Sequence, residues 1–357
     1  MAVSLSTIKR LLTTTLCCGF FIAASAQDSV KITKGTAWVR PMDDYLTAKV
    51  TQITDLTSFA VYTNTNKIVL QQNGESATML NLNYSFISAF YIFVPKFIPG
   101  NNDNDTKGKT SSQEFGFNFN FAHWQQSLSY ERVKGFYLEN TADYRPGWKD
   151  GDPYVQFPGL IYKCFEGVTA YNFNRKYSVN AVVTQSEQQL KSAGSFIPSL
   201  RYRYYIINNP PDSIYSTQKS NNIEVILNAG YYYTLVLPKH FYISAGIAAG
   251  GGFIETKLTT RVPGDDDVIS HQTNAIFRLD GQLGLGYNGN RFFGGIYSFA
   301  FSDSYKQQNT TVVTGDSKLN FQFFIGYRFN APKFLKKQLA QMNEMIEAKR
   351  QQLKSKQ

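Results

Sequence analysis

The chain has 357 residues, of which 17% are charged and 15% are aromatic. It is too apolar to be a disordered chain, and too poor in Leu, Ala, Glu and Lys to be a helical bundle. Half of the formal net charge of +10 lies in residues 333–357, so the body has no basic footprint for nucleic acid.

The first predicted element is a secretory signal peptide over residues 1–26. A basic pair precedes an apolar stretch, and a small-x-small cleavage site ends at Ala26. Lipidation of Cys17 or Cys18 is the alternative, but neither cysteine follows a small residue. Export leaves the single Cys164, which cannot form an internal disulfide and is interpreted as structural. No later apolar run is long enough for a transmembrane helix.

The body alternates between apolar and polar residues with a period of two. In residues 115–121 every odd position is Phe, whereas the even positions are Gly or Asn. One apolar face and one polar face are typical of a barrel strand that separates lipid from a polar lumen. The predicted strands cover residues 55–63, 67–72, 77–86, 89–97, 112–121, 124–138, 158–171, 176–186, 193–207, 221–236, 239–254, 272–288, 291–303 and 317–330.

The expected fold class is all-β: an antiparallel transmembrane β-barrel of about 12–14 strands with a C-terminal α-helical tail. A soluble β-sandwich with an aromatic core is the alternative. Short turns alternate with long polar connections at 98–111, 139–157, 208–220, 255–271 and 304–316. The alternation breaks near 187–192 or 208–220, so either a reversal is missed or one longer connection lies on the periplasmic, short-turn side.

The positions opposite the apolar faces are expected to point into the lumen. These lumen-facing candidates are Glu114, Asn118, Asn120, Glu131, Arg201, Arg203, Glu224, Asn228, Arg278, Asp280, Gln282, Gln322 and Arg328. In a narrow barrel their charges would pair and plug the lumen, whereas in a wider barrel they would line a path for a small polar or lipidic ligand. Both interpretations stay open from the sequence.

Residues 27–54 are expected to be a periplasmic lead-in, residues 55–330 the barrel and residues 331–357 a basic amphipathic helix. The apolar residues of this tail follow a four–three spacing. The tail docking candidates are Leu335, Leu339, Met342, Ile346 and Leu353. They would face a periplasmic partner, a second copy of the chain or an anionic lipid surface.

Five short segments of the body carry a family resemblance. They are Asp43-Asp44-Tyr45-Leu46, Lys134-Gly135-Phe136-Tyr137, Tyr144-Arg145-Pro146, Lys191-Ser192-Ala193-Gly194-Ser195-Phe196 and Gly326-Tyr327-Arg328-Phe329. With them, residues 40–330 resemble the domain of unknown function family numbered 4421, predicted outer-membrane barrels of Bacteroidetes-type bacteria. The resemblance implies the fold and an outer-membrane location, and it carries no catalytic residue to this chain.

Histidine, the commonest catalytic base, occurs only at His123, His240 and His271. A lipid hydrolase or deacylase on the barrel wall would need a Ser–His pair. His240 and Ser244 share a strand face but lie about 13 Å apart, which is too far for a hydrogen bond. His271 is expected in a long loop, and a cross-strand pair stays open because the register is unknown.

No cofactor or metal site is expected. The glycines at 250–252 are followed by no helix that would hold a phosphate, and the acidic run at 265–267 is interpreted as a solvated loop. We therefore expect a non-enzymatic outer-membrane barrel of structural or small-ligand transport type. Its expected partners are outer-membrane lipid and, during insertion, the barrel-assembly machinery, but not nucleic acid. An assembly scaffold and a lipid-modifying enzyme are the alternatives.

Overall fold

The computed structural model describes residues 36–54, 56–62, 67–304 and 318–354, so the expected signal peptide lies outside the described residues. The strands are β1 (Val39–Pro41), β2 (Tyr45–Ile53), β3 (Ser58–Tyr62), β4 (Lys67–Gln71), β5 (Ala77–Tyr84), β6 (Ile87–Phe93), β7 (Ser111–Asn120), β8 (Trp124–Leu138), β9 (Gln156–Tyr171), β10 (Glu187–Gln189), β11 (Ala193–Asn208), β12 (Thr217–Val236), β13 (Phe241–Arg261), β14 (Val268–Asn288), β15 (Phe292–Ser304) and β16 (Lys318–Asn330). The helices are α1 (Asn104–Lys107) and α2 (Lys333–Lys354).

Twelve of these strands form one closed antiparallel ring. Its order is β8-β7-β6-β5-β2-β16-β15-β14-β13-β12-β11-β9, and β9 pairs back to β8. The prediction of an all-β barrel of about 12–14 strands with a C-terminal helix is therefore confirmed. A closed ring has no free edge strand, so the backbone N–H and C=O groups of each wall strand find hydrogen-bond partners on both sides.

The outer face of the ring carries many exposed apolar side chains. Phe115 on β7 is 47% exposed, and Leu283 and Leu285 on β14 are 58% and 55% exposed. A soluble β-sandwich would bury such side chains between two sheets, whereas this exterior has the character of a lipid-facing wall. None of the helices among the described residues is both long enough and apolar enough to cross a membrane.

The connections sort by length between the two ends of the barrel. The turns at 85–86, 121–123, 237–240 and 289–291 share one end with the start of β2 and the end of β16. The loops at 94–110, 139–155, 209–216 and 262–267 lie at the other end. One long connection, residues 172–192, also lies at the short-turn end. This connection explains why short turns and long loops do not alternate strictly along the sequence. The other explanation, a missed reversal of chain direction, is therefore wrong.

The wall starts earlier in the chain than the sequence predicts. Strand β2, within the expected lead-in of 27–54, pairs with β16 on one side and β5 on the other. Its outward positions include Ala48 and Gln52, and its inward positions include Lys49. The apolar–polar alternation holds from Leu46 to Thr51 but reverses at Gln52 and Ile53, so the alternating run is shorter than the strand and was not recognised.

The predicted strands 55–63 and 67–72 form the hairpin β3–β4, which is not one of the twelve strands of the ring. Among the described residues, the hairpin pairs with the wall at the end of β8, through Leu70 and Gln71. Its Phe59 is 4% exposed and its ring centroid lies 4.9 Å from that of Tyr162, on the inner side of the wall. We call β3–β4 the hairpin lid, because it covers the interior at the long-loop end.

A bulge in β8 turns apolar side chains toward the hairpin lid. Gly135 has a φ of +89°, and the pairing of β8 with β9 shifts register between Lys134 and Phe136. The extra residue inverts the alternation, so Val133 and Phe136, three positions apart, are both buried. Phe136 then packs with its ring centroid 5.3 Å from that of Phe59.

The predicted strand 176–186 is wrong. These residues belong to the 172–192 connection, which folds into the short-turn end of the barrel and which we call the inner plug. It carries β10, and β10 pairs with the N-terminal strand β1 in a separate two-stranded sheet. Tyr177, Val179 and Ala181 alternate with polar residues as in a wall strand. In the structure, however, Tyr177 and Ala181 are buried and do not face lipid.

Candidate functional site

A cavity of about 350 Å³ lies inside the barrel against the hairpin lid. The lumen-facing candidates that line it are Glu114, Glu131, Arg201, Arg203, Arg278 and Gln322. A second cavity of about 250 Å³ adds Asp280 and Gln282 and shares Arg278 and Gln322 with the first. The charged candidates of several strands therefore surround one polar space.

On one side of this space, two arginines of β11 lie between carboxylates of β9 and β12. Arg201 Nη2 is 2.9 Å from Glu166 Oε2. Arg203 is 3.4 Å from the same oxygen through Nε and 3.3 Å from Glu224 Oε1 through Nη1. Arg203 Nη2 also donates to Tyr162 Oη at 3.1 Å. The register places Arg203 directly opposite both glutamates, so the backbone ladder fixes the pairs.

Further round the ring, β14 carries a second pair. Arg278 Nη2 lies 2.7 Å from Asp280 Oδ1, and the guanidinium carbon lies 4.6 Å from the centre of the Phe301 ring. The two charged residues are two positions apart on one strand and therefore share the inward face. Both contacts restrain the guanidinium, which also lines the main cavity.

The acidic part of the cavity lies on β7 and β8. Glu114 and Glu131 are directly opposite each other in the register. Thr57, just before the hairpin lid, donates its hydroxyl to Glu131, and Ser129 hydrogen-bonds Glu114. Two carboxylates therefore face the cavity side by side, and hydroxyl groups are among their partners.

At the short-turn end, Arg328 holds the inner plug and does not line the open cavity. Its side chain is fully buried. Nε and Nη2 donate to the Gln185 carbonyl oxygen at 3.1 and 2.6 Å. Nη2 also donates to Asn288 Oδ1 at 2.5 Å, and Nη1 donates to the Gly289 carbonyl oxygen. One buried guanidinium thus joins the plug to the wall and to a neighbouring turn.

Other wall strands satisfy the backbone of the inner plug in the same way. The bonds run from Lys49 Nζ to Val183 O at 2.6 Å, from Asn83 Nδ2 to Thr184 O at 3.0 Å, from Tyr297 Oη to Val182 O at 2.8 Å and from Asn288 Nδ2 to Ala181 O at 3.2 Å. Buried backbone groups need such partners, so the plug is built into the wall.

The N-terminal strand β1 closes the outer side of the plug. Trp38, just before β1, makes cation–π contacts with two lysines. Its ring centre lies 4.9 Å from Lys176 Nζ and 5.5 Å from Lys191 Nζ. Asp43, between β1 and β2, lies at the same end, where burial raises the pKa of its carboxyl and a hydrogen bond with Ser85 opposes the rise.

The remaining lumen-facing candidates lie on inward positions away from the main cavity. Asn118 and Asn120 follow Glu114 down β7, and the Asn120 carbonyl oxygen accepts a hydrogen bond from Asn180 of the plug at 3.2 Å. Asn228 on β12 is 7% exposed. These amides lie between the charged cavity and the plug.

Three residues of the interior were missed. Glu166 lies in the predicted strand 158–171, for which the sequence did not show which face points inward. Lys49 lies in the expected lead-in, and Thr57 lies just before the hairpin lid. For Glu166, the signal was a charge at a polar position of an alternating run. Thr57 carried no signal, because its role depends on where the hairpin folds.

Two of the three histidines contact polar groups of the inner plug. His123 Nδ1 lies 2.6 Å from the Asn172 carbonyl oxygen, and His240 Nδ1 lies 3.0 Å from Gln188 Nε2. His271 lies within β14, not in the loop that the sequence predicted. Within the described ranges, no three or more His, Cys, Asp or Glu side chains are grouped to hold a metal ion.

Helix α2 extends from the short-turn end after Pro332. Lys336 Nζ lies 2.7 Å from Asp44 Oδ1. Of the docking candidates, Leu335 and Met342 are half-buried and Leu339 is 9% exposed. The side chains of Ile346 and Leu353 lie outside the described part of the structure.

Comparison with known proteins identifies a family. A family model described as "Domain of unknown function (DUF4421)" matches residues 28–329, and this confirms the resemblance seen in the sequence. No curated protein matches the sequence.

Solved barrels are similar only at the level of strand arrangement. The β-domain of the Bordetella autotransporter Brka is 9% identical, with a TM-score of 0.42 over 80% of this chain and 100% of that one. The outer membrane protease OmpT from Escherichia coli is 8% identical, with a TM-score of 0.34 over 84% and 100%. The P. putida toluene transporter TodX is 7% identical, with a TM-score of 0.27 over 83% and 91%.

Proposed function

Since the chain belongs to the DUF4421 family, whose description names no activity, we propose a function from the barrel interior: the protein holds or passes a small polar solute. The observation that carries the proposal is the cavity of about 350 Å³, faced by carboxylates and guanidinium groups. Small-molecule sites typically begin at about 300 Å³. A solute with groups of both signs would find a partner for each.

The proposed location is the outer membrane. The apolar outer face would contact outer-membrane lipid, and the barrel-assembly machinery would insert the chain after export. The alternation of short turns and long loops supports this assignment, because outer-membrane barrels place short turns in the periplasm. Both ends of the described chain would then be periplasmic.

We propose no catalytic step. The two histidines nearest the short-turn end are held by polar groups of the plug region, Asn172 for His123 and Gln188 for His240. Replacing all three histidines by Ala tests the lipid-modifying alternative. Unchanged outer-membrane lipid composition would support a non-enzymatic role, and a lost lipid modification would establish the enzyme.

The solute proposal is tested with the purified full chain in detergent and in liposomes. Binding of glycine betaine, lysine, glutamate and glucose is measured by calorimetry, and uptake is measured by liposome swelling. We expect at least one charged solute to bind or enter, and Glu114→Gln to change its affinity or rate by about threefold or more. Glu139→Gln, outside the cavity, is the control. No binding and no swelling with any of the four would overturn the proposal.

A second candidate function is docking through α2. Phe334 and Met345 are 62% and 71% exposed on this helix, so apolar surface is available at the short-turn end beside the seam of Leu335 and Leu339. Deleting residues 333–357 tests it. Loss of a cross-linked periplasmic partner, or of self-association, with solute binding retained would favour the scaffold. An unchanged set of partners would reject it.

A further inference from the structure

Three basic side chains stand together on the outer face, toward the long-loop end. Strand alternation directs Arg132 and Lys134 of β8 and Lys163 of β9 outward, because Val133 and Cys164 are buried inside. The register places Arg132 directly opposite Lys163. We call these three residues the basic trio. Opposed Cβ atoms lie about 5 Å apart, and the next outward position on a strand is about 7 Å away.

The outward positions around the basic trio carry no compensating charge. Its register neighbours on β7, β9 and β11 are Ser111, Gln113, Ile161, Ile206 and Asn208, none of which is acidic. Like charges directly opposite each other destabilise a sheet. Such an arrangement on an exposed wall is relieved when an anion binds across it.

The next outward positions toward the short-turn end are aromatic. Phe165 of β9 lies between Tyr130 of β8 and Tyr204 of β11 in the register, and Phe165 and Tyr204 are 45% and 46% exposed. Phe115 packs beside Tyr130, with ring centroids 5.6 Å apart. The outer face therefore changes from aromatic to cationic within one step along the strands.

That order of chemistry matches one class of ligand. A phosphorylated amphiphile places its anionic headgroup and its acyl chains at adjacent depths, and aromatic side chains mark the same boundary in membrane barrels. The long-loop end is the end that would meet the outer leaflet. Arg offers a bidentate fork to phosphate and Lys a mobile point charge.

We propose that the basic trio binds the phosphorylated headgroup of an outer-leaflet glycolipid, whose acyl chains lie against Phe165 and Tyr204. The site is on the lipid-facing wall and is independent of the interior cavity. Bound lipid would cover the opposed charges of β8 and β9 and would stabilise this part of the ring.

The test uses the full chain in neutral detergent and lipid A that carries phosphate at both ends of its disaccharide. The triple variant Arg132→Gln, Lys134→Gln, Lys163→Gln should weaken binding by at least about tenfold. The control Arg40→Gln, Arg175→Gln, Lys239→Gln removes the same charge from exposed positions at the short-turn end and should stay within about twofold. Phosphatase-treated lipid A should bind the wild-type protein about tenfold more weakly.

Several outcomes would overturn the proposal. They are equal affinity of the triple variant and the wild-type protein, undiminished binding of dephosphorylated lipid, or inorganic phosphate competing at the concentration of the lipid, which would make the site one for free anions. If the triple variant does not fold, Lys163→Gln alone changes one exposed side chain and should still weaken binding by about threefold. Unchanged affinity of that variant would likewise reject the site.

Discussion

Both halves of the barrel interior are lined by inward-facing polar residues of the wall. One half is filled by a folded chain segment, whereas the other half holds a cavity. In the short-turn half, the inner plug satisfies the wall through neutral carbonyl and amide groups, with Arg328 at the centre. In the long-loop half, charged side chains pair with one another around open volume. An inward polar residue can thus support a folded segment or a binding space, and the difference lies in whether a chain segment reaches it.

Loss of the Arg328 guanidinium is expected to have the largest effect, because it holds the filled half together. Arg328→Met leaves buried carbonyl groups of Gln185 and Gly289 without a donor. We expect the free energy of unfolding to fall by about 3–5 kcal/mol and bilayer conductance to rise as the plug loosens. Urea unfolding and planar-bilayer recording measure both. Arg145→Met, on an exposed loop, is the control, and equal conductance in both variants would show that the plug is held elsewhere.

The next effect concerns the bulge that turns β8 toward the hairpin lid. A Cβ at Gly135 would lie 2.1 Å from the Lys109 carbonyl oxygen, at a φ of +89°. Gly135→Ala should lower the free energy of unfolding by about 2–4 kcal/mol. Gly264 has a φ of +78° with open space around it, so Gly264→Ala should lose only about 1 kcal/mol. Equal losses in thermal or urea unfolding would mean that backbone angle alone, and not the contact with Lys109, matters.

A smaller effect of opposite sign is expected in the open half. Glu114 and Glu131 are directly opposed carboxylates, so Glu114→Gln should raise the free energy of unfolding by about 0.5 kcal/mol at alkaline pH, where both carboxylates are ionised. It should also shift the selectivity of any measured conductance toward anions. Reversal potentials in a salt gradient measure the shift. A decrease in stability would indicate that the Glu114 charge is balanced by the arginines of the same cavity.

The smallest effect is expected outside the barrel. Lys336 of α2 and Asp44, the residue before β2, form an exposed ion pair, and such pairs contribute less than about 1 kcal/mol. Lys336→Ala should therefore leave unfolding unchanged within about 0.5 kcal/mol. A larger loss would show that α2 is part of the filled half of the barrel and not an appended helix.

The wall of the barrel could be predicted because each strand carries its own signal. The Phe residues of β7 alternate with small and polar residues, and lipid on one side with a polar lumen on the other produces that pattern locally. The inward positions of Glu114, Arg203 and Arg278 followed from the same pattern, but the sequence left open whether their charges fill the lumen or line a path. Their pairing did not follow, because it depends on register.

The inner plug could not be predicted, because its partners are distant in sequence. Thr184 and Gln185 offer backbone carbonyl groups to Asn83 and Arg328, and no local pattern announces such bonds. Strand β2 was missed for a different reason: its apolar–polar alternation holds only from Leu46 to Thr51 and reverses at Gln52 and Ile53. Distant pairing and a short alternating run are thus separate causes of failure.

The seam between β2 and β16 joins the two ends of the described barrel sequence, from Tyr45 opposite Asn330 to Ile53 opposite Gln322. This is the pairing with the greatest loop-closure entropy, and contacts of that kind form slowly. The last strand must therefore be available before the ring can close. The hairpin lid and the inner plug both lie in the sequence between these two strands. The segments that fill the lumen are therefore joined to the wall at both of their ends once the ring has closed.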